Sequence, residues 1–283
     1  MNVLTIESPA KINLFLKVVG KRGDGYHELI TLLCRITLFD RVILSFDTPF
    51  FSVRCSHPAV PQNEANIAYK AARLFQEVYP RLSGVEITIE KEIPVAAGLG
   101  GGSSNAASVL MGLNSHFGSP LTGSELLGIA RKIGADVPFF IFKKPVIATG
   151  IGDQFQYLPY LFPYRVVVVC PDFEVPTALV YKKLKLGLTK CEKNFNLESL
   201  KKSKLSLDKL LHNDLEKVTI ECYPEIAIIK EKLVDLGANG TLMSGSGPSV
   251  FGLFRSDESA KRAYRSLIDD GRWRSFLTQL ILK

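Results

Sequence analysis

The chain is poor in cysteine, in tryptophan and in long apolar runs. Its 283 residues include five cysteines and a single tryptophan. Cys34, Cys55, Cys170, Cys191 and Cys222 are odd in number and far apart. No pair has the spacing of a zinc knuckle or a redox dithiol, which points to buried, reduced thiols and a cytoplasmic setting. The N-terminal run Met1-Asn2-Val3-Leu4-Thr5-Ile6-Glu7 has no basic patch followed by an apolar stretch, so no secretory leader is expected. The purest apolar run near mid-chain, Val166 to Cys170, is far too short to span a bilayer. Repeats and low-complexity tracts are missing as well. What is present suits a folded globular chain: 46% hydrophobic and 22% charged residues allow a sizeable core. The formal net charge is +7 and the sequence pI about 9.1. Such a surface admits nucleic acid, a membrane surface or small anions as partners. The charges are spread out, however, and the densest run, Lys201-Lys202-Ser203-Lys204, reads as a solvated loop.

Alternation from Lys11 predicts a strand with Ile12, Leu14, Leu16 and Val18 on one face. Lys11, Asn13 and Phe15 share the other face, where a lysine and an asparagine either point to solvent or serve a site. A turn over Gly20 to Gly25 leads through Tyr26-His27-Glu28 into a second strand reaching Leu38. Asn66 is placed to cap a helix carrying Ile67, Ala68, Ala71, Ala72, Leu74, Phe75 and Val78. Val85 to Glu90 alternates as a strand. Ala106 to Leu113 reads as a helix beginning near Ser104, and Glu125 to Ile133 as another, stopped by Gly134 and then Pro138. Prolines and aromatics from Pro159 to Pro163 mark the expected domain boundary, dividing the chain into residues 1–158 and 159–283. Beyond it come a strand over Arg165 to Cys170, a variable lysine-rich stretch from Lys182 to Lys209, and a helix from Glu225 to Leu236 ending at Gly237. Two strand signals flank Ser244-Gly245-Ser246-Gly247-Pro248. A helix over Ala260 to Ile268 and a strand near Phe276 to Leu282 close the chain. The pattern is α+β in both halves.

Four glycines in five positions, Gly98-Leu99-Gly100-Gly101-Gly102, followed by Ser103 and Ser104, need a physical reason. Each glycine costs about 0.5–1 kcal/mol relative to alanine in regular structure, so the run does not serve stability. It lets successive N–H groups point into one concavity, and a helix starting just after adds unpaired donors and a positive dipole end. Together these suit a phosphate. No Gly-Lys-Ser/Thr follows, which excludes a Walker P-loop. A dinucleotide fingerprint should come straight off a strand, whereas Lys91 to Ala97, with Pro94, intervenes. The partner motifs of a protein kinase are missing too.

Three motifs in order carry a resemblance. Pro94-Val95-Ala96-Ala97-Gly98-Leu99-Gly100-Gly101-Gly102-Ser103-Ser104 resembles the central phosphate motif of the GHMP kinases, named for galactose, homoserine, mevalonate and phosphomevalonate. Pro9-Ala10-Lys11-Ile12-Asn13-Leu14 and Met243-Ser244-Gly245-Ser246-Gly247-Pro248-Ser249-Val250-Phe251 are similar to the flanking motifs. The resemblance implies a two-domain GHMP kinase fold. Its N-terminal half is like the second domain of ribosomal protein S5, and its C-terminal half is ferredoxin-like. Lys11 to Leu16, Gly25-Tyr26-His27-Glu28-Leu29 and Gly134-Ala135-Asp136-Val137-Pro138-Phe139-Phe140 are similar to one branch of that family. This branch moves the γ-phosphate of ATP to the tertiary 2-hydroxyl of a CDP-linked sugar alcohol on the non-mevalonate route to isoprenoid precursors. Gly23 stands where that branch leads one to expect proline.

By the same resemblance, Pro94, Val95, Ala96, Ala97, Gly98, Leu99, Gly100, Gly101, Gly102, Ser103 and Ser104 bind ATP. Asp136 is the base that takes the acceptor proton, and Lys11 is its partner, stabilising charge on the transferring phosphoryl group. Asn13 orients the acceptor's hydroxyls. Tyr26, His27 and Tyr181 form the cytosine site, with tyrosine where the family often has phenylalanine, and Thr177 lies nearby. His57, His116 and His212 are left to structure or solvent. Mg²⁺ is expected with ATP, its protein ligands open beyond a serine such as Ser104. The partners implied are small molecules, with no nucleic acid and no membrane, in a monomer or homodimer. The alternatives are another kinase of the family, for homoserine, mevalonate or a sugar, and an RNA-binding module, which would leave Asp136 without a use.

Overall fold

In the computed structural model, which describes residues 2–23, 25–158, 161–184 and 210–282, two long strands come first. They are β1 (Val3–Lys21) and β2 (His27–Ser45). Ile12, Leu14, Leu16 and Val18 are buried, as their period of two requires. The opposite face is buried as well, with Lys11, Asn13 and Phe15 exposed by only 5%, 4% and 5%. Buried polar groups persist only where hydrogen bonds satisfy them, so the solvent-facing reading of Lys11 and Asn13 is excluded.

Each of these strands contributes residues to two compact units. The first gathers Met1–Ala10, Leu38–Val95 and Gly100–Lys143. There the end of β2 pairs antiparallel with β4 (Val85–Glu90), Leu44 opposite Ile87. β3 (Phe51–Cys55) lies parallel to β4 on its other side. Four helices complete the unit: α1 (Ile67–Val78), α2 (Gly101–His116), α3 (Gly123–Ile133) and α4 (Val137–Phe142), with α2 packed against the other three. Asn66 caps α1 as expected, its side chain accepting from Ala68 N at 2.9 Å, and Ala68, Ala71, Ala72 and Phe75 form the buried face. Thr122 and Glu125 close a capping box on α3, which ends at Gly134.

Two expectations change here. Pro138 does not stop a helix; it lies in the first turn of α4, where its missing N–H has no intrahelical partner to lose. α2 starts at Gly101 rather than near Ser104. Gly100, with φ +69°, takes the left-handed conformation that ends the loop, and helical dihedrals begin at once. Gly101 is glycine for a packing reason, since a Cβ there would sit 2.9 Å from Lys91 Nζ and 3.0 Å from Ile93 Cγ2.

The second unit gathers Lys11–Thr37, Ala96–Leu99 and Lys144–Lys283. β5 (Val146–Thr149) pairs antiparallel with the early part of β2, and β6 (Gln154–Tyr157) pairs with β5. An antiparallel series runs β9 (Gly240–Met243), β10 (Val250–Phe254), β7 (Arg165–Cys170), β11 (Arg274–Ile281), and β11 continues onto β2 through Leu280 opposite Ile36. The short β8 (His212–Asn213) lies parallel to β1, Leu16 opposite Asn213. The helices are α5 (Thr177–Lys183), α6 (Asp214–Cys222), α7 (Glu225–Asp235) and α8 (Asp257–Asp270). Leu16 and Val18 from β1 share one core with Val167, Val169, Ile226, Leu233, Phe254, Leu267 and Trp273. The fold is α+β throughout.

Cys34, Cys55 and Cys170 are buried free thiols, and Cys222 is half-buried. Burial pushes Cys34 up to about 12 and Cys170 up to about 11, so both stay protonated at neutral pH. Cys191, the lysine-rich stretch from 185 to 209, and Pro159 and Tyr160 at the expected boundary lie outside the described residues. No helix among the described residues is long and apolar enough to cross a membrane.

Candidate functional site

In the second unit the site begins at Lys11. Its backbone N–H donates to Leu99 O at 2.9 Å, and its Nζ donates to Asn13 Oδ1 at 2.7 Å. Asn13 Nδ2 donates in turn to Thr31 Oγ1 at 2.9 Å, and Thr31 Oγ1 to Phe15 O at 2.7 Å. This chain of bonds gives a long, flexible ammonium side chain a fixed direction, with Asn13 as the intermediary. Two residues apart on a strand, Lys11 and Asn13 share a face, which is why their side chains meet.

The glycine-serine turn after β9 closes onto the same place. Ser244 Oγ accepts from Asn13 N at 3.3 Å and donates to Gly98 O at 3.0 Å. Ser249 N donates to Ala97 O at 3.3 Å. Gly98, with φ +75°, leaves room for this approach, because a Cβ there would run into the Ser244 carbonyl. A Cβ at Gly245 would stand 3.4 Å from Asn13 Oδ1 and 3.6 Å from Lys11 Nζ. Three sequence motifs separated by more than 80 residues at each step thus contribute to one hydrogen-bonded cluster.

In the first unit the rest of the glycine loop opens α2. Ser104 N donates to Gly100 O at 2.9 Å, while no side chain caps the helix. The preceding N–H groups of its first turn have no intrahelical acceptor, the arrangement that suits an anion. Beneath this turn lies a buried polar hub that the sequence reading missed. Asp40, fully buried, accepts from Lys91 Nζ, from Glu92 N and Ile93 N at 2.9 Å each, and from Asn105 Nδ2 at 2.9 Å. Asn105 also donates to Ser8 Oγ at 3.1 Å, and Ser8 Oγ donates to Ser104 Oγ at 2.8 Å. The hub ties the segment carrying Pro94 and Val95 to the helix carrying Ser103 and Ser104. Asp136 also belongs to this unit, at the start of α4 with φ −82° and ψ −15°.

The residues expected at the cytidine end belong to the second unit. The His27 ring stacks on Tyr181, centroids 4.8 Å apart and planes 25° from parallel, while Tyr26 is 60% exposed. Burial first, and the Lys21 charge second, hold His27 below its ordinary value of 6.5. Thr177 Oγ1 lies 2.7 Å from Ser246 Oγ, which links α5 to the glycine-serine turn. The remaining histidines have structural contacts. His116 stacks on Phe46, His212 Nε2 lies 2.7 Å from Asp214 Oδ1, and His57 Nδ1 accepts from Ala59 N at 3.3 Å.

Among the described residues no group of three or more histidine, cysteine or acidic side chains is arranged to hold a metal ion. The donors instead suit an anion in each unit: backbone N–H groups at the start of α2 in the first, and the Lys11 ammonium in the second.

Comparison with known proteins agrees with this chemistry. The model of the GHMP kinases N terminal domain matches residues 66–144, and that of the GHMP kinases C terminal domain matches residues 196–272. The fold and the two family models define a GHMP kinase, an ATP-dependent enzyme that phosphorylates a small molecule. A crystal structure of 4-(cytidine 5'-diphospho)-2C-methyl-D-erythritol kinase shares 35% identity with a TM-score of 0.81, covering 98% of this chain and 99% of that one. The 4-diphosphocytidyl-2-C-methyl-D-erythritol kinase of Syntrophotalea carbinolica is 46% identical over 96% of this chain and 97% of its own. Homoserine kinase from Cytophaga hutchinsonii, at 19% identity and a TM-score of 0.74, shares the fold. The chain belongs to the 4-diphosphocytidyl-2-C-methyl-D-erythritol kinase family.

Proposed function

We propose that the chain transfers the γ-phosphate of ATP to the 2-hydroxyl of 4-diphosphocytidyl-2-C-methyl-D-erythritol. Asp136 takes the hydroxyl proton as the acceptor oxygen bonds to the γ-phosphorus. The bond from that phosphorus to the β,γ-bridging oxygen breaks, and ADP leaves with the electron pair. Lys11 faces the charge that develops on the transferring group, and Asn13 orients Lys11 and the acceptor. The loop from Pro94 to Ser104 holds the ATP phosphates on its backbone N–H groups. Tyr26, His27, Thr177 and Tyr181 receive the cytidine end.

The observation that carries this reading is the buried Lys11–Asn13 pair, fixed at 2.7 Å and bonded through Ser244 to Gly98 of the phosphate loop. A lysine held this way at a phosphate loop has a use in phosphoryl transfer and none in a solvated strand. Mg²⁺, bound together with ATP, would supply neutralisation of the phosphate charge. Ser104 is the protein oxygen nearest in kind to a ligand, and its Oγ already accepts from Ser8. The enzyme works in the cytoplasm on small molecules, without nucleic-acid or membrane partners, as a monomer or homodimer.

Two measurements test the reading. Assays with the CDP-linked methylerythritol beside mevalonate and homoserine should show turnover of the first; turnover of a rival alone would overturn the acceptor. Asp136→Asn should lower kcat by about 10²–10⁴-fold while ATP still binds, the range for loss of a general base. Near-normal kcat in that variant would remove Asp136 from the base role.

A further inference from the structure

We propose that Asn213 is a positioning residue for the phosphoryl-transfer centre, acting through the Ser244–Gly247 turn; this rests on the assignment of Lys11 above. Asn213 touches neither Lys11 nor the phosphate loop in the hydrogen bonds described. It is 6% exposed, and all of its bonds point elsewhere. Its Oδ1 accepts from Leu215 N at 3.0 Å and so caps α6. Its Nδ2 spends both hydrogens on the turn, donating to Met243 O at 2.8 Å and to Gly245 O at 2.8 Å. These two carbonyls flank Ser244, the residue that bonds Asn13 N and Gly98 O. One carboxamide therefore fixes the 243–244 peptide, which leads into the serine that links lysine strand and phosphate loop, and the 245–246 peptide one residue beyond it. It also fixes Gly245, where a Cβ would stand 3.4 Å from Asn13 Oδ1 and 3.6 Å from Lys11 Nζ.

The chemistry at this position is narrow. The site needs one acceptor and two donors in a single short planar group, which among side chains of this length only asparagine supplies. β8 places it there, because its parallel pairing sets Asn213 beside Leu16 of β1, the strand that also carries Lys11 and Asn13. A second strut comes from the same helix. Glu216, paired with Lys230, accepts from Met243 N at 2.8 Å. The start of α6 thus holds the entry of the turn at Met243 N, Met243 O and Gly245 O. Lys11 keeps its own bonds when Asn213 is altered, but the wall against which it is set shifts.

Asn213→Asp and Asn213→Ser test this, since both keep an acceptor for the α6 cap and differ in what they offer the turn. The aspartate offers no donor when ionised and one when protonated; the serine offers at most one. Both should lower kcat by about 10–100-fold, the size of effect expected when a reacting group is misplaced by about 1 Å. The KM for the acceptor should stay within about threefold of the parent, because the cytidine end is untouched. The ratio of Asn213→Asp to parent kcat should also rise as pH falls. A carboxyl pressed between two carbonyls is held high, and its neutral form regains an O–H donor toward one of them. If the aspartate variant does not fold, the serine variant carries the test. Parent-like kcat in the serine variant, or a loss confined to KM, overturns the positioning role. So does a pH-independent ratio for a folded aspartate variant. Lys11→Ala, measured alongside, separates this from the reading beneath it. Full activity there sinks the catalytic assignment, whereas a dead Lys11→Ala beside a parent-like Asn213→Ser sinks the positioning role alone.

Discussion

His27 is held below its ordinary value of 6.5 by two effects, burial and the Lys21 charge, and the first is the larger, which adds to the neutral ring's share at pH 7. The edge of cytosine presents an amino donor, to which a neutral imidazole nitrogen can accept and a protonated one cannot. In the proposed site the KM for the acceptor should therefore stay flat through the neutral range. It should rise as pH falls through the lowered value of His27. Lys21→Gln removes a cation that disfavours the charged ring, so His27 should move up toward 6.5 and the rise in KM should begin at a higher pH. KM–pH profiles of the parent and Lys21→Gln check this; superimposable profiles would take His27 out of base recognition. Other residues show how much was readable in advance. Lys11 and Asn13 stood out by type and spacing, yet alternation alone left them free to face solvent, and only burial of both strand faces decides between the readings. Asp40 gave no signal at all, because its partners at positions 91, 92, 93 and 105 meet it only in three dimensions.

At the scale of elements, local signals held where a cap or an alternation governs. β4 and β7 have the predicted ends, and Asn66 and Gly134 bound their helices as expected. The start of α2 was hidden because glycine normally marks a loop, and here two glycines lie inside the first helical turn. The glycines of the loop and of the helix differ in role, which gives a test at Gly98 and Gly102. At Gly98 alanine meets both a left-handed backbone and the Ser244 carbonyl. Gly98→Ala should therefore lose about 1–3 kcal/mol from the strained backbone alone, with a further loss from the clash, and should raise the KM for ATP. At Gly102 the nearest atom to a new Cβ is Ile67 Cδ1 at 3.4 Å, an ordinary contact, in a helical position where alanine is preferred by about 1 kcal/mol. Gly102→Ala should leave the melting temperature unchanged or raised. Equal melting temperatures for the two variants would show that the loop is looser than its bonds to Ser244 imply.

For the whole molecule, order along the chain and order in space differ. Prolines and aromatics suggest a cut after residue 158, and the two family models fall on either side of it. The second compact unit, however, recruits Lys11–Thr37 and Ala96–Leu99 from before the cut. A fragment of residues 159–283 would therefore lose specific things. Leu16 and Val18 leave the core they share with Val167, Phe254 and Trp273. Burial of two such side chains contributes about 3–6 kcal/mol at 1.5–3 kcal/mol each, comparable with the whole stability of a domain at about 5–15 kcal/mol. β8 loses the only strand it pairs with among the described residues, and β11 loses its register with Arg35 and Ile36. The exposed edges then invite aggregation. The isolated 159–283 fragment should show no cooperative thermal transition by circular dichroism, and co-expression with 1–158 should restore both the transition and kinase activity. A cooperative melt of 159–283 alone would mean that β7, β9, β10 and β11 with α7 and α8 close a sufficient core by themselves. The long strands β1 and β2 would then serve the site rather than the fold.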